Sequence, residues 1–149
     1  MKKKITYRRP DGKECNAYCA IPAAGETAPG VVVLQEWWGL NDQIKGVADR
    51  LAEVGYRALV PDLYRGKVTL EAAEAEHLMS NLDFGDAATQ DIRGAVQYLK
   101  GTSPRRGSPS LVFAWAGFFR YLLPSSQKRP MPLSAGMVFH RKGRWIQGP

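Results

Sequence analysis

The chain has 149 residues, 44% of them apolar and 23% charged, which suits one globular domain with a single core and excludes disordered and fibrous classes. A net charge of +7 would suggest an acidic partner if it were evenly spread. It is not: residues 1 to 103 hold 13 Lys and Arg and all 14 Asp and Glu, whereas residues 104 to 149 hold 8 Lys and Arg and no carboxylate. Cys15 and Cys19, the only cysteines, are too few for a disulfide scaffold and lack the spacing of a structural zinc site, so a reduced cytoplasmic protein with no metal and no cofactor is expected. Residues 1 to 9 are basic but lack the apolar run of a signal peptide. The longest apolar run, residues 111 to 123, carries Arg120 within it and is too short to cross a bilayer, so no membrane partner is expected.

In chain order, residues 3 to 9 and 14 to 21 flank Pro10-Asp11-Gly12, a turn triplet that predicts an N-terminal β-hairpin. Val31-Val32-Val33-Leu34 follows Pro29-Gly30 and reads as a central strand covered on both faces. From Asp42 the spacing becomes helical: Ile44, Val47, Ala48, Leu51 and Ala52 share one side, Asn41 or Asp42 is placed to cap, and Gly55 is placed to stop the helix. Residues 56 to 60 read as the next strand, closed by Pro61. Helices are predicted near 70 to 81 and 87 to 100, the second capped by Asp86 and buried along Ile92, Ala95, Val96 and Leu99. Strand, helix, strand with short connections is a parallel crossover, and the class is α/β.

The first strand runs into Gln35-Glu36-Trp37-Trp38-Gly39-Leu40-Asn41 and the second into Pro61-Asp62-Leu63-Tyr64-Arg65-Gly66. With the helix between them and the later Asp91-Ile92-Arg93-Gly94-Ala95-Val96-Gln97-Tyr98-Leu99, residues 3 to 103 resemble the N-terminal half of dienelactone hydrolase, the carboxymethylenebutenolidase family of α/β-hydrolases. The resemblance implies a truncated α/β-hydrolase fold: the hairpin, then parallel βαβ units with helices on both faces. It also implies hydrolysis of a small-molecule lactone or ester by a cysteine nucleophile in a Cys-Asp-His triad, with a carboxylate held against the thiol because only the thiolate is strongly nucleophilic. Glu36 matches that carboxylate. The backbone N–H of Trp37 matches an oxyanion-hole donor, useful because charge develops on the carbonyl oxygen during attack.

A lone Glu at a strand end is most often only a solvated carboxylate; the motif and its place at a strand C-terminal end favour functional ancestry. Trp37 and Trp38 read equally as aromatics capping the sheet. Arg65 is the nearby candidate for the family's substrate-binding arginine, and it reads as well as a solvated loop residue. Asp62 reads as a turn residue and His77 as solvated, and no motif places His140.

The departure follows the last predicted helix. Where the family has a Gly-x-Cys-x-Gly elbow between strand and helix, this chain has Ser110-Leu111-Val112-Phe113-Ala114-Trp115-Ala116-Gly117. No cysteine follows Cys19 and no serine lies in a Gly-x-Ser-x-Gly context, and the chain ends before the family's Asp and His are expected. Glu36 is therefore expected to be vestigial. A change of reading frame joins this departure to the charge step. Val112 to Gly117 written GTT TTT GCA TGG GCG GGT and read two bases later gives Phe-Cys-Met-Gly-Gly, and a guanine ending the Leu111 codon puts Gly before it. The same offset on Ser134 to Phe139, AGT GCT GGT ATG GTA TTC, gives Cys-Trp-Tyr-Gly-Ile, which resembles the aromatic-Tyr-Gly end of the family's next strand. The codons are chosen, yet two bases of every shifted codon are constrained by the observed residues.

Residues 1 to 103 are thus expected to be the native part of the domain, and residues 104 to 149 a frame-shifted basic tail that is not natively packed. Beyond a short strand at 111 to 113 the tail is expected to be irregular, and the sheet edge left open is expected to promote oligomers or aggregates. An alternative is a binding module whose tail contacts nucleic acid through Arg105-Arg106, Lys128-Arg129 and Arg141-Lys142-Gly143-Arg144 among Phe118, Phe119, Tyr121 and Trp145. Those basic residues show no period that would gather them on one face, which disfavours it.

Overall fold

The computed structural model describes residues 1–103 throughout and, beyond them, the backbone of residues 110–114, 137–140 and 144–147. The chain opens with β1 (Lys2–Arg8) and β2 (Glu14–Ala20), an antiparallel pair joined through the predicted turn. Next come β3 (Gly30–Val33), α1 (Asp42–Glu53) and β4 (Arg57–Pro61). β3 and β4 are parallel and every residue of both is buried; the apolar runs 31–33 and 58–60 suit a strand covered on both faces, and the one charged residue, Arg57, donates to Leu99 O and Thr102 Oγ1. The α1 boundaries follow its sequence signals. Asn41 Oδ1 accepts the Ile44 N–H at 3.1 Å, satisfying one of the free donors of the first turn, and Gly55 takes φ +99° just past the helix end, a conformation that favours glycine.

Helix α2 spans Ala72–Ser80. The segment expected as one helix from 87 to 100 is built differently. It starts with the short turn α3 (Phe84–Asp86), widens to a π-helical turn over Ala87–Ile92, and continues as α4 (Arg93–Gly101). Its cap is Asp83, whose Oδ1 accepts the Asp86 N–H at 2.9 Å. Asp86 instead turns its carboxylate to Arg9, a partner 77 residues away that no local signal announces.

The sheet has the order β1-β2-β4-β3-β5-β6-β7, in which β5 is Ser110–Ala114, β6 Met137–His140 and β7 Arg144–Gln147. Helices cover both faces. On one, Ile44 and Ala48 of α1 pack on Ala20, Val31, Val33, Ala58 and Val60. On the other, Ala95 and Leu99 of α4 pack with Tyr7, Cys15, Val32, Leu34 and Leu59. The alternation of β3 and β4 residues between the two clusters is the period of two of a strand.

β5 (Ser110–Ala114) lies parallel to β3, Val33 level with Phe113, at the place the α4 helix delivers it to. Beyond it the backbone departs from the irregular tail expected from sequence. β6 (Met137–His140) pairs antiparallel with β5, and β7 (Arg144–Gln147) antiparallel with β6. The physical reason is local. The free edge of β5 offers unpaired N–H and C=O groups, and Val138, Phe139, Trp145 and Ile146 are among the residue types that accept pairing most readily.

Candidate active site

The site grows from the C-terminal end of β3. Leu34 and Gln35 continue the buried strand, and the chain then turns: Gly39 N–H donates to Glu36 O at 3.2 Å. The turn requires glycine. Gly39 has φ +95°, and a Cβ there would lie 2.4 Å from Lys67 O. This close approach lets the Glu36–Gly39 turn dock on the loop after β4, where Gly39 bridges to Val68 and Thr69 N–H donates to Trp38 O at 3.1 Å. The rings of Trp37 and Trp38 meet edge to face, centroids 5.0 Å apart and both half-buried, a favoured aromatic geometry that stiffens the turn.

Glu36 is held half-buried in this turn. Burial pushes its carboxyl pKa above the usual value, because desolvation penalises the charged form. Among the described residues its carboxylate has no hydrogen-bond or ion-pair partner. Its neighbour Gln35 ties the two strand ends together, its Oε1 accepting the Leu63 N–H at 3.0 Å, while the Gln35 Nε2 group is buried with no acceptor among the described residues.

Arg65 sits on the β4 loop with a left-handed backbone, φ +54°. Its guanidinium is engaged: Nη2 donates to both carboxylate oxygens of Asp91 at 2.9 and 3.0 Å, and Nη1 to Asp62 O at 3.0 Å and Cys15 Sγ at 3.2 Å. Burial opposes the Arg65 charge, but Asp91 outweighs it and raises the pKa. Asp91, 1% exposed, is shared with Arg9, which also binds Asp11 and Asp86. The Arg9 hydrogen bond holds the Asp11 carboxyl down to about 2. Tyr7 closes the network, its hydroxyl donating to Asp91 O at 2.6 Å. Hairpin, π-turn and β4 loop are thereby clamped together, and the loop in turn braces the Glu36 turn. Sequence reading missed Arg9, Asp91 and Gln35. For the first two the only available signal was unlike charge at long separation; for Gln35 it was adjacency to Glu36.

Asp62 is a turn residue as expected, its Oδ2 accepting the Gly66 N–H at 2.7 Å, and His77 is exposed beside Asn81. Cys15 and Cys19 lie buried in β2 and burial raises both thiols, so neither is a ready thiolate. Among the described residues no three His, Cys, Asp or Glu side chains gather to hold a metal ion, and no helix is long and apolar enough to cross a membrane. The His140 side chain and the basic and aromatic side chains invoked for nucleic acid lie outside the described residues.

Residues 15–111 match the dienelactone hydrolase family model. The chain belongs to the dienelactone hydrolase family. It is 35% identical over 133 residues to the Usf protein of Aquifex pyrophilus, covering 78% of this chain and 56% of that one. It is 41% identical over 80 residues to a candidate carboxymethylenebutenolidase of Saccharolobus solfataricus, covering 53% of this chain and 30% of that one. The chain thus spans about half or less of the length of these relatives. A crystal structure of a candidate dienelactone hydrolase from Klebsiella pneumoniae superposes with a TM-score of 0.67 at 21% identity, over 77% of this chain and 49% of that one, and shows the α/β-hydrolase fold. In this chain β5, the strand beside β3, ends on Ala114.

Proposed function

We propose that residues 1–103 form the carboxylate-bearing half of a hydrolase site for small-molecule esters or lactones, and that the chain as it stands is catalytically silent. The observation that carries this reading is the pairing of β3 with β5. Val33, the last residue of β3, is level with Phe113, so Ala114 ends β5 beside the stretch of chain that leads from β3 to Glu36. A thiol at that strand end would have close by a half-buried carboxylate, without a partner among the described residues, to take its proton, and the Trp37 N–H as an oxyanion donor. Ala114 has nothing to ionise. The orphaned Gln35 Nε2 group further supports a strand end shaped for a neighbour.

In the shifted reading, with the codons written above, the Cys codon takes two of its three bases from the Ala114 codon, so this account assigns the missing nucleophile to that strand end. We therefore read residues 104–149 as an out-of-frame continuation, whose strands β6 and β7 pair through residue type rather than selection. In this account Arg65 positions the β4 loop, and the sheet edge at β7 leaves an open ladder for self-association in a cytoplasmic protein. The test is hydrolysis of p-nitrophenyl acetate and of dienelactone with and without iodoacetamide. The expected result is no thiol-sensitive turnover above background. Turnover abolished by iodoacetamide would overturn the reading, since Cys15 and Cys19 are buried in β2.

A further inference from the structure

The loop after β4 reverses the usual pattern of a solvated segment. Val68 pairs with Gly39 in an antiparallel bridge, so the backbone there is extended and successive side chains alternate in direction. The polar residue is the one turned in: Thr69 is 6% exposed, whereas Val68 and Leu70 on either side of it are 49% and 88% exposed. Thr69 also fixes the segment. Its N–H donates to Trp38 O at 3.1 Å, and its hydroxyl donates to Glu74 Oε2 at 3.1 Å and accepts the Glu71 N–H at 3.0 Å. Val68 and Leu70 are thus held outward on a braced segment, docked against the turn that carries the half-buried Trp37 and Trp38. Single exposed apolar residues are ordinary, but two fixed outward beside two indoles make a patch of the kind that marks an interface.

Charge selects what covers it. Lys67, just before Val68, is exposed and has no ion-pair partner among the described residues. Glu36 lies on the adjoining turn, bridged to Gly39 as Gly39 is to Val68, and its carboxylate is half-buried and equally without a partner among the described residues. One surface thus carries a free ammonium and a free carboxylate beside the same apolar residues, and it is complementary to itself after a half-turn, as an isologous dimer requires. A partner of single sign would leave one of the two groups unpaired. We propose that this surface is the two-fold interface of a homodimer, with Val68 and Leu70 against their counterparts and Lys67 of each copy against Glu36 of the other. Glu71, exposed at the start of α2, is a second carboxylate nearby, but Glu36 is already partly desolvated and gains more from an ammonium. A two-fold contact closes at two copies, whereas the β7 edge is an open ladder.

Sedimentation equilibrium of the full chain over a range of concentrations tests this. A monomer–dimer equilibrium is expected, with a Kd of about 10 to 100 µM for an interface at the small end of the range. Well below that concentration the chain is monomeric and Glu36 keeps its free carboxylate. Leu70→Asp is expected to weaken the dimer about tenfold or more, because two leucines leave the interface at once. Lys67→Glu is expected to weaken it about tenfold by setting like charges across the two-fold, and Lys67→Glu combined with Glu36→Lys to restore it to within about threefold of the unaltered chain. Leu70 and Lys67 are exposed in the single copy, so their variants decide the matter if Glu36→Lys does not fold. A monomer at every concentration overturns the proposal. So does association that Leu70→Asp and Lys67→Glu leave unchanged, the outcome if the β7 edge carries it, or a folded double variant that fails to restore the dimer.

Discussion

Replacing Asp91 by Asn keeps the shape of the side chain and removes the charge shared by two guanidinium groups. Asp91 accepts three N–H bonds at 2.9 to 3.1 Å from Arg9 and Arg65 and is 1% exposed; the new amide would set a donor against one of those donors. Breaking a buried ion pair costs about 3 to 5 kcal/mol. Two features favour the lower end: Arg9 retains Asp11 and Asp86, and the Arg65 side chain is 47% exposed and can regain water. The expected loss is therefore about 3 kcal/mol. In equilibrium urea unfolding this lowers the midpoint by about 1.5 M for a slope of about 2 kcal/mol/M, with the slope unchanged. Asp86→Asn is the control, because that carboxylate is 42% exposed and its pair with Arg9 is worth about 1 kcal/mol or less. If Asp91→Asn costs no more than Asp86→Asn, the clamp joining hairpin, π-turn and β4 loop does not bear on stability, and the reasoning fails.

Two further outcomes bear on the Glu36 turn. Gly39→Ala forces a side chain into φ +95° and onto Lys67 O, and is expected to cost about 3 kcal/mol by the same unfolding assay; a neutral result would mean that the turn relaxes freely. Because burial raises the Glu36 pKa in the folded chain, the native state favours the protonated form. Its contribution is fully present below the unfolded value and is lost as pH rises through the folded one. Glu36→Gln is thus expected to leave stability unchanged at pH 3 and to raise it at pH 7; destabilisation at pH 7 would reveal a partner for the carboxylate.

Local signals carried most of the fold. The Pro10-Asp11-Gly12 turn, the β-branched run at 31–34, the Asn41 cap and Gly55 each act over a few residues, and each sits where its residue type predicts. What escaped was long-range. Asp86 looked like a helix cap because caps are local, but Arg9 on the hairpin holds it and Asp83 caps instead. The π-turn at 87–92 delivers Asp91 between two arginines, a geometry invisible to a helical period. The tail strands were missed for a related reason. Periodicity reports a selected burial pattern, whereas β6 and β7 need only pairing-prone residues and an open edge. At the site, the motif singled out Glu36 and Trp37 as candidates, which lie half-buried in the turn after β3, while the Arg9–Asp91–Arg65 network that braces the β4 loop leaves no contiguous trace.

The central claim, that this family member lacks its nucleophile because its last third is read in another frame, is tested most directly by the nucleotide sequence of codons 104 to 140. Read two bases downstream of the present frame, codons 111 to 117 are expected to encode Gly-Phe-Cys-Met-Gly-Gly and codons 134 to 139 Cys-Trp-Tyr-Gly-Ile. A shifted frame with no cysteine codon overlapping Ala114, or one interrupted by a stop before codon 140, would contradict the account and make residues 104–149 a selected part of the protein.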